Sequence, residues 1–207
     1  MAKFPEPPAA AALARLPPAE RAVPGGTRCW RIYFRRGPHA VAWRDLRAWG
    51  PSGARFDHHL PPPRLQDRHV LYGAQDAATC FAEVFQQTRT IDRRRNGPWL
   101  VCFALERAVT LLDLTGTWPT RAGASMAISS GPRPRARRWS QAIHAAYPTI
   151  DGLYYPSSMN ANRPAFMLYE RASAALPARP LFHRALGDAA LTPAIVRVAQ
   201  RFNYAVV

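Results

Sequence analysis

Two arginines, a tyrosine, a glutamate and a serine are the side chains of this sequence that best combine into a chemistry: Arg31, Arg55, Tyr72, Glu83 and Ser157. Arginine binds phosphate oxygens through two parallel hydrogen bonds, a geometry that lysine does not offer. A tyrosine ring stacks on a flat ring such as nicotinamide, and a serine hydroxyl hydrogen-bonds ribose, phosphate or an amide. A carboxylate stabilises the oxocarbenium-like state of glycoside cleavage. The set therefore suits a dinucleotide whose glycosidic bond is to be broken.

Each of these residues also has a plain structural alternative. Arg31 could pair with an acid, and Tyr72 could be a core aromatic. Glu83 could be a solvated helix residue, and Ser157, which follows Pro156, could be an ordinary turn residue. The chemical interpretation is favoured only if these residues meet in one site. Whether they can meet depends on the strands, helices and turns that carry them.

Arg31 belongs to a predicted strand over residues 29–34. Trp30, Ile32 and Phe34 alternate there with Arg31 and Tyr33, and alternation with a period of two is typical of a strand. If the apolar set faces the core, the arginine and the tyrosine share the opposite face and can line a cleft.

Glu83 belongs to a predicted helix that follows a short strand over residues 69–73. Asp76 has the residue type of an N-cap, and the helix is expected to continue to about Thr88. Glu83 lies on the side opposite the apolar arc, where it can face a cleft. That arc consists of Ala77, Phe81, Val84 and Phe85.

The remaining pattern predicts an α+β fold in a single domain. Further strands are expected over Trp99–Leu105, Val109–Leu114, Ile150–Tyr155 and Ala165–Glu170, the last two on either side of the Ser157 turn. Further helices are expected around Trp139, Ile143 and Tyr147, and from Thr192-Pro193 to about Phe202. Residues 28–207 form the expected domain.

Three stretches are predicted to contain little regular structure. Residues 1–27 are a Pro/Ala-rich leader with one short helix near residues 8–16. Residues 37–68 are rich in Gly, Pro, Arg and His and indicate a long irregular excursion. Residues 115–138, which end in the basic run Arg-Pro-Arg-Ala-Arg-Arg, indicate a solvated loop.

The formal charge of +15 raises the alternative of an arginine-rich module that binds nucleic acid or protein. Lys3 is the only lysine, so the charge reflects a general preference for arginine as much as a binding surface. No RNP, zinc-finger or helix-turn-helix pattern is present, and direct nucleic-acid binding is not expected. The positive field would still attract a pyrophosphate or an acidic protein partner.

Other chemistries find less support. The three cysteines, Cys29, Cys80 and Cys102, have no CxxC spacing and predict neither disulfides nor zinc. His58-His59 with Asp57 or His69 fits no common metal template, so no metal is expected. Ser157 lacks a GxSxG setting, which argues against a hydrolase triad with His144 or His183.

The sequence also gives an expectation for location. No apolar run approaches the roughly 18 residues that a membrane span needs, and the N-terminus lacks the apolar region of a secretory signal. A cytoplasmic protein without membrane association is therefore expected.

Four short motifs, in this order, resemble the RES-domain family over roughly residues 28–172. They are CWRIY (29–33), GARF (53–56), HVLYGAQDAATCFAEVF (69–85) and DGLYYPSS (151–158). After the serine, the family usually has a Gly-containing stretch before an asparagine, where this chain has Ser-Met-Asn-Ala-Asn-Arg-Pro. Asn160 and Asn162 are both candidates for that polar role. Ser157 is chosen over Ser158 because it directly follows the proline.

The resemblance implies a split sheet like that of ADP-ribosyltransferase toxins, with a central NAD cleft. It implies consumption of NAD+ as a substrate, by hydrolysis or phosphorolysis, and no separate cofactor. It also implies a toxin that is neutralised by an Xre-like, helix-turn-helix antitoxin. The roles carried over are catalytic for Arg31, Tyr72, Glu83 and Ser157, with Arg55 as an additional substrate ligand. Mono-ADP-ribosylation of a protein is the alternative activity within the family.

Overall fold

A computed structural model describes residues 3–207 as an α+β fold, as predicted from the sequence. The strands are β1 (Glu20–Val23), β2 (Arg28–Phe34), β3 (Arg47–Gly50), β4 (Arg64–Ala74), β5 (Thr90–Ile91), β6 (Pro98–Ala104), β7 (Val109–Asp113), β8 (Gly152–Pro156), β9 (Pro164–Tyr169), β10 (Phe182–Ala185) and β11 (Ala205–Val206). The helices are α1 (Ala10–Leu13), α2 (Ala77–Val84), α3 (Trp118–Arg121), α4 (Arg133–Ala146) and α5 (Thr192–Phe202).

Nine of the strands form one mixed sheet in the order β1-β7-β8-β9-β4-β2-β6-β10, with β3 paired to β4. The β7–β8 pair is parallel, and the other neighbours in this sheet are antiparallel. A separate parallel pair joins β5 and β11.

The sheet is split between β2 and β4. These strands share one paired position, Trp30 opposite Ala74, whereas β2 pairs with β6 along its whole length. The residues that follow Trp30 and those that precede Ala74 line the same cleft. The predicted split sheet therefore exists, and it opens beside Arg31.

Hydrophobic side chains cover both faces of the sheet. Val70 and Ala74 contribute to the larger cluster, which also contains the fully buried Trp118 and Trp139, while Leu71 contributes to the smaller one. Because successive side chains of a strand point to opposite faces, β4 supplies both clusters. Strand β4 is therefore held by packing on both of its faces, and it forms one wall of the cleft.

The predicted leader packs on the domain. Phe4 stacks on Trp139, and Phe4 and Leu13 are buried. The Tyr147 hydroxyl donates to the carbonyl oxygens of Leu13 and Leu16, at 2.8 and 2.9 Å. Strand β1 then extends the sheet beside β7. Residues 1 and 2 of the leader lie outside the described part of the chain.

Two predicted loops contain regular structure, and those predictions were wrong. The basic run does not lie in a loop, because it forms the first turns of α4, where Pro134 sits at a position that tolerates a missing N–H. The same stretch contains α3 and a 3-10 turn, Met126–Ile128. The excursion over residues 37–68 contains β3 and the first part of β4. Strand β3, helix α3 and the 3-10 turn have only three or four residues, and the first turns of α4 consist mainly of arginine and proline, so periodicity did not reveal them.

The predicted elements that carry the site are present, but α2 ends at Val84, before the predicted end near Thr88, because a turn follows Phe85. Asp76 caps α2 by accepting a hydrogen bond from the Thr79 N–H at 2.8 Å. Strands β2 and β6 to β9 lie within one or two residues of their predicted positions, as does α5. Within residues 3–207, no helix combines the length and the hydropathy needed to cross a bilayer.

Gly152 in β8 tests the sheet packing. Replacement by alanine would place a Cβ against the backbone carbonyl of Met167 on β9, and a backbone atom cannot rotate away. We expect Gly152→Ala to lower the free energy of unfolding by about 1–3 kcal/mol. Gly116→Ala is the matched control, because the added Cβ meets nothing within 4 Å. Urea denaturation of both variants is the measurement, and equal midpoints would contradict the described β8–β9 register.

Candidate functional site

A cleft of about 550 Å³ opens where β2 and β4 separate. Of the five side chains proposed from the sequence, Arg31, Arg55, Tyr72 and Glu83 line it. The fifth, Ser157, reaches it through a hydrogen bond to the Glu83 carboxylate. Residues that are distant in sequence therefore converge on one cavity.

Arg31 is held in the cleft wall by backbone carbonyls. Its Nη1 donates to the carbonyl oxygens of Trp43 and Asp45, at 2.7 and 3.0 Å. Burial lowers the pKa of Arg31 to about 10, although the charge of Asp45 acts in the opposite direction. Because this pKa is well above neutrality, the guanidinium is charged at neutral pH. It ties β2 to the segment around residues 43–45 and remains a cation inside the cleft.

Glu83 is fixed by hydrogen bonds to both carboxylate oxygens. The Ser157 hydroxyl donates to Oε1 at 2.5 Å, and the Gln86 side-chain amide approaches Oε2 at 3.3 Å. Ser157 is fully buried in the β8–β9 turn, and its Oγ also accepts from the Met159 N–H at 3.2 Å. The exposed Ser158, not Ser157, lines the cleft. Ser157 is thus placed to orient the carboxylate.

Two buried hydroxyls of the cleft have no hydrogen-bond partner among the described residues. They are the Tyr72 OH and the Ser129 Oγ. Burial raises the pKa of Tyr72 well above its usual value, so the phenol is neutral. Each unpaired buried polar group costs about 1–3 kcal/mol. A ligand that supplies partners would recover part of that free energy.

The cleft is strongly cationic. Four arginines line it, Arg31, Arg47, Arg55 and Arg133, whereas Glu83 is the one carboxylate among its described lining residues. Arg47 is paired with the buried Asp57 at 2.8 Å. The arrangement favours an anionic ligand that also carries a cationic or polarisable centre near Glu83.

Arg55 is hydrogen-bonded to the segment that directly precedes α4. Its Nη1 donates to the Gly131 carbonyl at 2.5 Å. Burial and then the charge of Arg133 lower the pKa of Arg55, while Glu83 opposes this shift. Sequence reasoning missed Arg47, Ser129 and Arg133, because no motif surrounds them. Recognising that the basic run starts a helix would have placed Arg133 near a helix N-terminus.

The structure distinguishes the two asparagines of the serine turn. Asn160 is buried, donates to the Thr79 hydroxyl at 2.8 Å and accepts from Arg201 Nη2 at 3.0 Å. Asn162 is exposed and adopts a left-handed backbone conformation with φ of 60°. Asn160 therefore joins the turn to α2 and α5, and it braces the elements that hold Ser157 and Glu83.

A histidine cluster lies outside the cleft. Glu170 accepts from His144 Nε2 at 2.6 Å and contacts His58 Nε2 at 3.1 Å. These three groups are close enough to share an ion. However, Arg68 Nη1, which can only donate, faces His144 Nδ1 at 3.4 Å. His144 Nε2 then carries the proton that Glu170 accepts and has no lone pair for a metal. The cluster fits a hydrogen-bonded network better than a metal site.

Two comparisons with known proteins identify the family and a similar fold. The family model described as RES domain matches residues 28–192, a range that contains all five proposed site residues. The solved structure of the M. tuberculosis MbcT–MbcA toxin–antitoxin complex is similar, with a TM-score of 0.50 and 16% identity. That match covers 78% of this chain and 85% of the other, and at this identity it shows a common fold. No curated protein matches the sequence.

The histidine cluster predicts a pH dependence of stability. Burial lowers the pKa of His58 to about 4, below the 6.5 of an unperturbed histidine. Between these two pKa values, the unfolded chain binds a proton at His58 and the folded chain does not. The contribution of neutral His58 to the free energy of unfolding is therefore complete above pH 6.5 and is lost as the pH falls below that value. We expect a loss of roughly 2 kcal/mol between pH 6.5 and 4.5, measured by denaturant titration.

The variant His58→Gln keeps a donor toward Glu170 and removes the titration, so its stability should change less over the same interval. His39→Gln, at an exposed position, should retain the wild-type slope. The pKa of Glu170 is also lowered, by the two histidines against the effect of burial, and its contribution is lost only at lower pH. Identical slopes in His58→Gln and wild type would contradict the assignment.

Proposed function

The chain belongs to the RES-domain family, and from that premise we propose that its cleft binds NAD+ and breaks the bond between nicotinamide and ribose. The observation that carries the proposal is the Glu83 carboxylate, which Ser157 orients inside a cleft lined by four arginines. A negative group beside the reacting sugar, surrounded by cations for the phosphates, matches the charge distribution of the dinucleotide.

The chemical role of Glu83 follows from the transition state. As nicotinamide leaves, positive charge develops on the ribose ring, and a fixed carboxylate stabilises it. The Ser157 hydroxyl holds Oε1 in place, so little reorganisation is needed when the charge appears. The same carboxylate can hold a ribose hydroxyl before the bond breaks.

The other site residues act in binding. Arg31 and Arg55 attract the pyrophosphate and the ribose side of the substrate, and the Tyr72 ring stacks on nicotinamide. The unpaired Tyr72 hydroxyl gains a partner when ligand enters. Attack by water makes the protein an NAD+ glycohydrolase, and attack by phosphate makes it a phosphorylase. NAD+ is the substrate in both cases.

A toxin is the biological role that fits this activity. The chain shares its fold with a protein solved as part of a toxin–antitoxin complex, and loss of NAD+ would poison the cytoplasm in which the protein is made. We propose that a partner of Xre-like, helix-turn-helix type neutralises it. The net charge of +15 favours association with an acidic surface.

Glu83→Gln tests the proposed chemistry. The substitution keeps the shape of the side chain and removes the charge that the transition state uses. We expect the rate of nicotinamide release from NAD+ to fall about 100- to 1000-fold, measured by chromatography with excess phosphate and without it. Glu106→Gln, at an exposed position outside the cleft, is the matched control and should retain the wild-type rate.

Unchanged NAD+ after hours with folded wild-type protein would contradict the proposal, as would full activity of Glu83→Gln. Dependence of the rate on phosphate distinguishes a phosphorylase from a glycohydrolase. Label from NAD+ that accumulates on a protein instead would identify an ADP-ribosyltransferase.

Expression in a bacterial host tests the toxin role. We expect induction of the wild-type protein to lower cellular NAD+ and stop growth, and Glu83→Gln to do neither. Co-expression of a helix-turn-helix protein from the adjacent reading frame should restore growth. Normal growth at a protein level that depletes NAD+ would contradict the toxin role and leave the enzymatic proposal in place.

A further inference from the structure

One wall of the cleft comes from the segment 129–133, to which the sequence assigned no function. Ser129 is 5% exposed, lines the cleft, and has an Oγ without a hydrogen-bond partner among the described residues. Buried hydroxyls are almost always paired. An unpaired one at a cavity wall indicates a polar atom of a ligand.

Arg133 is the second feature of this wall. It opens the fourteen-residue helix α4 and lines the cleft. Two other arginines of the first turns, Arg135 and Arg138, pair with Glu6 on the outside of the protein. Glu6 therefore balances the outer face of the helix start, while Arg133 contributes its charge to the cavity.

Arg55 is the third feature. It is tied to this wall through the Gly131 carbonyl, and its pKa is lowered first by burial and then by the charge of Arg133. Two guanidinium groups that line one cavity repel each other, and an anion bound between them offsets that repulsion. The charge of Glu83 raises the pKa of Arg55 and so opposes the effect of Arg133. However, the Glu83 carboxylate accepts a hydrogen bond from Ser157 and does not pair with either arginine.

We propose that Ser129, Arg133 and Arg55 form a subsite for a phosphoryl group. A phosphoryl group offers several oxygens to the two guanidinium forks and the hydroxyl, and charge-assisted bonds of this kind are strong. The N-terminal end of α4 adds a favourable potential, although Pro134 supplies no N–H, so the side chains carry most of the binding.

The phosphoryl group has two chemical sources, the pyrophosphate of a bound dinucleotide or free inorganic phosphate. For the dinucleotide, the subsite rests on the proposed function, because it then holds the substrate whose glycosidic bond is cleaved. For free phosphate it holds a separate anion beside that substrate. The chemistry of recognition is the same, and binding measurements distinguish the sources.

Isothermal titration calorimetry on the full chain at low ionic strength tests the subsite. The ligands are ADP-ribose, inorganic phosphate, and nicotinamide riboside, which has no phosphate. The variants are Arg133→Gln and Ser129→Ala. Arg137→Gln is the matched control, since it removes the same charge from the same helix at a position that does not line the cleft. Thermal midpoints verify that each variant is folded.

We expect Arg133→Gln to weaken binding of at least one phosphate-bearing ligand about tenfold or more, and Ser129→Ala to weaken the same ligand by a smaller factor. Nicotinamide riboside should bind all variants alike. Weakening for ADP-ribose assigns the subsite to the dinucleotide, and weakening for phosphate alone assigns it to free phosphate.

The proposal is overturned if both phosphate-bearing ligands bind Arg133→Gln as tightly as wild type, if neither binds wild type, or if Arg137→Gln loses as much affinity as Arg133→Gln. Nicotinamide release, followed in parallel, separates this failure from that of the proposed function. Intact NAD+ cleavage with unchanged binding removes the subsite only. If Arg133→Gln binds a phosphate-bearing ligand more weakly but the wild-type protein does not cleave NAD+, the subsite stands and the catalytic proposal fails.

Discussion

The separation of β2 from β4 is the constraint on which the rest of the site depends. The two strands meet at Trp30 and Ala74 and then diverge, while β6 on one side and β9 on the other hold them in the sheet by continuous pairing. The cleft is therefore an interruption in the pairing of an otherwise continuous sheet. Arg31 lies on one edge of this interruption and Tyr72 on the other.

The polar interior of the cleft is arranged by long-range hydrogen bonds. Ser157 reaches Glu83 across 74 residues of sequence, and Arg55 reaches Gly131 across 76. Asn160 connects the serine turn to both α2 and α5. These bonds hold α2, the β8–β9 turn and the start of α4 around one cavity. Within the cleft, the buried hydroxyls of Tyr72 and Ser129 have no hydrogen-bond partner among the described residues.

Much of this arrangement could be predicted from local pattern. The alternation around Arg31 identified β2, and the Asp76 cap identified α2, because each signal is contained in a few neighbouring residues. Strand β1 could not be found in this way, since its four residues are mostly exposed and show no alternation. The helical start of α4 was hidden because its first turns consist mainly of arginine and proline and show no apolar periodicity.

The site was predictable only in part for a related reason. Family-like motifs surround Arg31, Arg55, Tyr72, Glu83 and Ser157, whereas Ser129 and Arg133 come to the cleft through packing. The His58–Glu170 pair joins residues 112 positions apart, and no sequence spacing indicates such a contact. The different positions of the two serines also could not be predicted from the sequence. Ser157 holds the carboxylate, whereas Ser158 lines the cavity.

A crystal structure of the Glu83→Gln variant with NAD+ would test the central claim most directly. The account predicts a dinucleotide in the cleft between β2 and β4, with the anomeric carbon of the nicotinamide ribose beside residue 83 and phosphate oxygens beside Arg55. A dinucleotide bound elsewhere, or one in the cleft with its ribose remote from residue 83, would contradict it.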